Sequence, residues 1–193
     1  MLSLSGHKFH GPKGTGVLYV RSGVKLHPLL AGGGQETGMR SGTENVPGMV
    51  GLAKAMQTSR NELDTHREKW ITWKQHMLKQ LAEISGVKLN GDLTAKGSAP
   101  HIVSVSFSGL KGEVLLHALE EEGVYVSTKS ACSSKRYVPS RVLAACGLSA
   151  EEAEGTLRIS MGQQTTEDDI DQAIAVIEKT VHRLRREVGV SDT

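Results

Sequence analysis

Residues 101–122 read His-Ile-Val-Ser-Val-Ser-Phe-Ser-Gly-Leu-Lys-Gly-Glu-Val-Leu-Leu-His-Ala-Leu-Glu-Glu-Glu. In the first seven, Ile102, Val103, Val105 and Phe107 fall close to the two-residue alternation of a half-buried strand. From Glu113 to Glu122 the period lengthens, and Val114, Leu115, Leu116 and Leu119 mark one face of an amphipathic helix. A strand giving way so quickly to a helix predicts a mixed domain with helices packed on a sheet, of α+β or α/β class.

The chain supports that reading in both directions. Downstream, Val124–Ser127 predicts another strand, and Thr128–Val138 an exposed polar loop. Pro139–Cys146 predicts a short helix stopped by Gly147, and Thr156–Met161 a strand. Thr166 then precedes Asp168, Asp169 and Asp171, which suit the positive end of a helix dipole. Ile170, Ile174, Ile177, Val181, Leu184 and Val188 follow at helical spacing, with Arg183, Arg185 and Arg186 near the far end. Upstream, Val87–Leu89 is a short strand. Before it, Leu63, Trp70, Met77 and Ile84 recur every seven residues, with Trp73 and Leu81 filling the stripe. A break is expected near Ser59–Asn61, and Gly86 reads as the terminating glycine. Thr43 and Asn45 can cap the start, where Pro47 fits the first turn. Residues 31–42 form a glycine-dense loop, and 14–20 predict one strand after a glycine turn.

The 193 residues carry a net charge of +2, with 38% hydrophobic and 23% charged residues, a globular composition. No long basic block asks for nucleic acid, and no 18-residue apolar run predicts a membrane span. The two cysteines, Cys132 and Cys146, are too few for a disulfide framework, so reduced thiols in a cytoplasmic setting are the expectation. The scattered histidines share no metal-ligand spacing.

Four stretches could carry chemistry. Ser5-Gly6-His7-Lys8 with Gly11-Pro12-Lys13-Gly14 could place hydroxyl, imidazole and amine around one anion, or form a basic surface turn. The loop Gly32–Thr43 ends at a helix start, where free N–H groups favour phosphate. It lacks the Gly-Lys-Ser/Thr of a Walker loop, and a plain linker is the other reading. Cys132, in Ser127-Thr128-Lys129-Ser130-Ala131-Cys132-Ser133-Ser134, is either an accessible thiol whose thiolate Lys129 and Lys135 would favour, or an incidental one. Cys146, between Ala145 and Gly147, reads as a small buried hydrophobe. Arg158, inside the apolar strand Thr156-Leu157-Arg158-Ile159-Ser160, either holds a carboxylate bidentately or faces water on an edge.

In this order, Ser-Gly-His-Lys-x-x-Gly-Pro-Lys-Gly-x-Gly, Gly-Gly-Gly-x-Glu-x-Gly-x-Arg-Ser-Gly-Thr, Ser-Ala-Cys-Ser-Ser and Leu-Arg-Ile-Ser resemble the cysteine desulfurases. These are class V aminotransferases of the fold-type I pyridoxal-phosphate group, and the resemblance runs from Met1 to the last helix. It implies Lys8 as the Schiff-base lysine for pyridoxal 5'-phosphate, with Ser5 and His7 at the cofactor phosphate. Thr43 would reach the phosphate in the partner subunit of a homodimer. Arg158 would hold the carboxylate of L-cysteine. Cys132 would take the substrate sulfur as a persulfide, release alanine and pass sulfur to an acceptor protein, in iron–sulfur cluster or tRNA-thiolation pathways. Family members usually have Gly where Lys129 stands.

The family carries about as much sequence again before the lysine. Residues 1–42 are therefore expected to be the tail end of a large cofactor-binding domain, and 43–193 a small α+β C-terminal domain. The first thirty to forty residues should find few partners within the chain. On this reading the chain is a cysteine desulfurase fragment or half, inactive alone and completed by a missing N-terminal half. A selenocysteine lyase, another class V relative, or a non-catalytic sulfur-acceptor module are the alternatives.

Overall fold

The computed structural model describes residues 1–94, 97–128 and 140–189. Contacts divide the chain into two units, 1–64 and 65–193. The division falls inside one helix, α1 (Val46–Ala82).

The first unit begins with an antiparallel pair, β1 (Leu2–Ser5) and β2 (Gly16–Tyr19), in which Leu2 faces Tyr19 and Ser5 faces Gly16. Only β2 was expected. β1 lacks a clear signal because Leu2 and Leu4 alternate with serines over just four residues. Both strands are largely exposed, and Leu2, Leu18 and Tyr19 are each more than half accessible. A two-stranded ribbon has no second layer of its own and is marginal in isolation. At the start of α1, Asn45 Oδ1 accepts the Gly48 N–H at 3.1 Å, so Asn45 supplies the expected cap, with Pro47 in the first turn.

α1 runs without the break expected near Ser59–Asn61. Neither Gly nor Pro stands there, and Ser, Arg and Asn inside a helix each cost only a few tenths of a kcal/mol. The apolar stripe also starts later than its spacing implied. Leu63 is 50% exposed, whereas Trp70, Met77, Leu81 and Ile84 are buried.

In the second unit a three-stranded antiparallel sheet has the order β3 (Val87–Leu89), β4 (Ile102–Phe107), β5 (Thr156–Ser160). Val103, Val105 and Phe107 of β4 and Leu157 and Ile159 of β5 point to one side. They join Met77, Leu81 and Ile84 with residues of α2 (Gly112–Glu121) and α5 (Glu167–Val188) in one core. Each large side chain so enclosed contributes about 1.5–3 kcal/mol. The helix cap read from Thr166 is a full capping box: Thr166 Oγ1 accepts from Asp169 N–H, and the Asp169 carboxylate accepts from Thr166 N–H. α5 buries Ile170, Ile174, Ile177, Val181 and Leu184, while Val188 faces out.

Further points differ from the sequence reading. Val124–Ser127 is not a strand: only Ser127 pairs, as a single bridge to Arg158. Gly86 (φ 62°) lies four residues past α1 and turns the chain into β3 rather than capping the helix. A helix not anticipated, α4 (Ala150–Glu154), follows α3 (Arg141–Ala145) and has its own capping box from Ser149 and Glu152. Arg185 is not a surface cation of the last turn. It is 2% exposed and donates to the carbonyls of Ser85 and Ser108, at the turn after α1 and the end of β4.

Candidate functional site

Ser5 closes β1, and residues Gly6–Phe9 wind one 3-10 turn that ends at His10 in the left-handed region (φ 66°). The Gly6 N–H donates to Thr15 O at 2.9 Å, and the Gly11 N–H to Gly6 O at 2.9 Å. This knots residues 5–15 into one loop. Gly6 is obligatory there: a Cβ would lie 2.4 Å from Thr15 Oγ1 and 2.9 Å from Leu52 Cδ1. Gly16 is equally confined, with Leu4 O 2.7 Å from a Cβ. The buried glycine thus carries three exposed neighbours, Ser5, His7 and Lys8. Among the described residues their side chains have no hydrogen-bond partner, so hydroxyl, imidazole and amine are all available to a ligand.

The glycine loop is built rather than slack. Ser41 Oγ donates to Gly33 O at 3.1 Å, Ser41 N–H to Leu30 O at 3.2 Å, and Gly42 N–H to Gln35 Oε1 at 3.3 Å. Glu36 (φ 50°) and Thr37 (φ 56°) are left-handed. For β-branched Thr37 that conformation stores about 1–3 kcal/mol. Thr43 follows this loop, exposed, two residues before the cap of α1.

In the second unit, the sheet side opposite the core is polar. The register sets Lys88 beside Ser106 and Ser106 beside Thr156, and one step along sets Ser104 opposite Arg158. The Asn90 N–H donates to Ser104 O at 2.9 Å and extends this row. Arg158 is exposed, and among the described residues no carboxylate pairs with its guanidinium. Its backbone is committed: Arg158 N–H donates to Ser127 O at 2.6 Å and Ser127 N–H to Arg158 O at 3.1 Å. Cys132, Lys129 and Lys135 lie outside the described residues. Cys146 is exposed, not buried, because it caps a five-residue helix that has little core of its own. A groove of about 300 Å³ opens at Lys88, Ser106, Ser108, Ser149 and Glu152, where Lys88 and Glu152 form a 2.6 Å ion pair.

One titratable cluster, around the buried Lys74, escaped the sequence reading. Lys74 is 8% exposed, and its Nζ donates to Ser98 Oγ at 2.7 Å and Ala99 O at 3.0 Å. Burial lowers its pKa, and Asp92 partly opposes that. His101 lies against Trp70, and its pKa is lowered by burial and then by Lys74. The signal was present: residues 70, 74, 77 and 81 share one helical face.

Ser5, His7, Lys8 and Thr43 thus belong to the first unit and Arg158 to the second. The model for the class V aminotransferase family matches residues 1–173. A cysteine desulfurase IscS of Methanosarcina thermophila is 44% identical over 185 residues, 96% of this chain and 45% of that protein. A cysteine desulfurase IscS of Clostridium botulinum is 43% identical over 190 residues, 98% of this chain and 48% of that protein. A solved NifS-like protein aligns with a TM-score of 0.81 at 38% identity, covering 94% of this chain and 46% of its own. A NifS-like protein from Rickettsia africae aligns at 0.79 with 26% identity, covering 93% and 47%. The chain spans about half the length of the relatives it matches.

Proposed function

The chain belongs to the class V aminotransferase family, and on that premise we propose that it is the C-terminal part of a pyridoxal-phosphate-dependent cysteine desulfurase. Residues 1–42 would complete a large cofactor-binding domain and 43–193 form the small domain. The activity would require the half that the relatives carry in addition, so this chain alone would not turn over cysteine.

The donor set at Ser5, His7 and Lys8 fits the cofactor. An exposed amine, an imidazole and a hydroxyl surround a glycine whose Cβ position is blocked, so the backbone can approach an anion closely. Ser5 and His7 would hold the phosphate and Lys8 the carbonyl carbon, while Thr43 would donate to a phosphate across a homodimer. Pyridoxal phosphate, when bound, supplies an electron sink for bond cleavage at the substrate.

Arg158 would hold the cysteine carboxylate in a charge-assisted pair. Cys132 would attack the substrate sulfur as thiolate. The carbon–sulfur bond breaks, a proton takes sulfur's place on carbon to give alanine, and the sulfur stays as the Cys132 persulfide. An acceptor protein then takes that sulfur, for iron–sulfur cluster assembly or tRNA thiolation.

The paired backbone bonds between Ser127 and Arg158 carry this reading. They fasten Ser127, upstream of Cys132 in the sequence, to the residue assigned to the substrate carboxylate. Cys132 lies five residues beyond Ser127 in the sequence, a reach of at most about 18 Å. Among the described residues no helix is long and apolar enough to cross a membrane.

The test is absorbance of the chain mixed with pyridoxal phosphate, alone and with a separately made N-terminal half of a relative. A Lys8-dependent visible band and release of alanine and sulfide are expected only in the mixture, and Lys8→Ala should abolish the band. Turnover by the chain alone would overturn its assignment as an incomplete enzyme. Persulfide on neither cysteine would overturn the desulfurase assignment.

A further inference from the structure

The polar side of the sheet contains a hydrogen-bond chain whose direction is fixed by counting protons. Thr156 Oγ1 lies 2.6 Å from the carbonyl of Glu152, so it must donate there its one hydrogen. Ser106 Oγ, 2.7 Å from Thr156 Oγ1, must therefore donate to Thr156. The atom of Asn90 that lies 2.8 Å from Ser106 Oγ must in turn be a donor, which makes it the amide nitrogen. The second hydrogen of that nitrogen points to Ser104 Oγ at 3.4 Å.

Two loose ends remain. Asn90 Oδ1 is buried without a partner among the described residues, a cost to folding. Ser104 accepts from Asn90, and among the described residues its own hydroxyl hydrogen has no acceptor. The bonds from Glu152 to Ser106 stabilise the sheet, but these two loose ends add nothing to that.

Ser104 is the cross-strand partner of Arg158. Arg158 spends its N–H and C=O on Ser127, on the other edge of β5, so it exchanges no backbone bond with Ser104. They form a non-hydrogen-bonded antiparallel pair, the kind with Cα atoms only about 4.5 Å apart and side chains close together on one face.

We propose that Ser104, oriented by Asn90, donates its hydroxyl to the α-carboxylate held by Arg158 and so helps to select amino acids over plain amines. This deepens the substrate reading of Arg158 and rests on it. A guanidinium alone pairs with any small anion, whereas a hydroxyl fixed beside it lets the two groups recognise a planar carboxylate in one orientation.

The test is NMR titration of the full 193-residue chain with L-alanine, L-cysteine and cysteamine, reading the Arg158 side-chain Nε–H and the Ser104 amide. L-Alanine and L-cysteine should shift both signals, and cysteamine, which lacks a carboxylate, neither. Ser104→Ala should raise the dissociation constant for both amino acids about tenfold, the effect of one hydrogen bond to a charged group. Ser104→Thr should restore it. Asn90→Ala should weaken binding by less, because the hydroxyl remains but is free to rotate. Equal binding by wild type and Ser104→Ala, with loss in Arg158→Ala, would overturn the role of Ser104 and leave Arg158 in place. No binding by wild type, or undiminished binding by Arg158→Ala, would remove the carboxylate site itself and this proposal with it.

Discussion

The indole of Trp70 and the imidazole of His101 lie 5.3 Å apart, centroid to centroid, tilted by 48°. On the other side His66 stacks on the same indole at 5.5 Å. Trp70 Nε1–H also donates to Gly162 O at 3.2 Å, tying α1 to the chain after β5. This ring cluster is a point of pH sensitivity.

Burial, reinforced by Lys74, holds the His101 pKa below its ordinary value of 6.5. The unfolded chain therefore binds the proton more readily than the folded one. His101 adds stability that is complete above about pH 6.5 and is lost as pH falls through its lower folded value. Melting temperature should drop between pH 7 and 5, and His101→Gln should flatten that slope. Protonation of His101 beside the indole should also quench Trp70 fluorescence over the same range, and His101→Gln should reduce that change.

Lys74→Met keeps an apolar stem on the buried face and removes the ammonium. The ties to Ser98 and Ala99 vanish, so amides of the 97–102 segment should lose protection in hydrogen exchange. The His101 pKa should rise toward its ordinary value without reaching it, because burial, the larger cause, persists. A titration of the His101 ring protons that matches the wild type would contradict this coupling.

Gly6→Ala should destabilise the first turn by about 1–3 kcal/mol, since Thr15 Oγ1 and Leu52 Cδ1 occupy the place of the new methyl. Pyridoxal phosphate binding by the completed enzyme should fall with it, although no ligand-contacting side chain is altered. Gly14→Ala, with open space around its Cβ position but φ at 79°, should show a smaller effect from backbone strain alone.

Arg185→Ala should cost about 3 kcal/mol, since a buried side chain and its charged hydrogen bonds to the Ser85 and Ser108 carbonyls are lost together. Arg186→Ala, one residue on and exposed, should leave the denaturation midpoint unchanged within about 0.5 kcal/mol. Equal effects of the two substitutions would contradict the assignment.

What could be read in the sequence follows from where the information lies. α5 announced itself through Thr166, its acidic first turn and five buried apolar positions in register. β4 and α2 did so through their change of period. β1 did not, because its Leu–Ser alternation runs over only four residues and gains strand character by pairing with β2. α4 was legible but unread: Ser149 and Glu152 stand at capping-box spacing. Of the site, the identities of Ser5, His7, Lys8, Thr43 and Arg158 came from motif order, which composition cannot supply. The roles of Ser104 and Asn90 depend on strand register and on the direction of single hydrogen bonds, and no one-dimensional pattern encodes either.

Arg185 finds its two carbonyls 100 and 77 residues back along the chain. A ribosome adding about 5–20 residues per second makes the nearer carbonyl wait roughly four to fifteen seconds for its donor. During synthesis β3 and β4 can therefore pair, with the Ser108 N–H on Gly86 O, before the guanidinium arrives to bridge the Ser85 and Ser108 carbonyls. Chaperones and proteases have that interval in which to meet the growing chain.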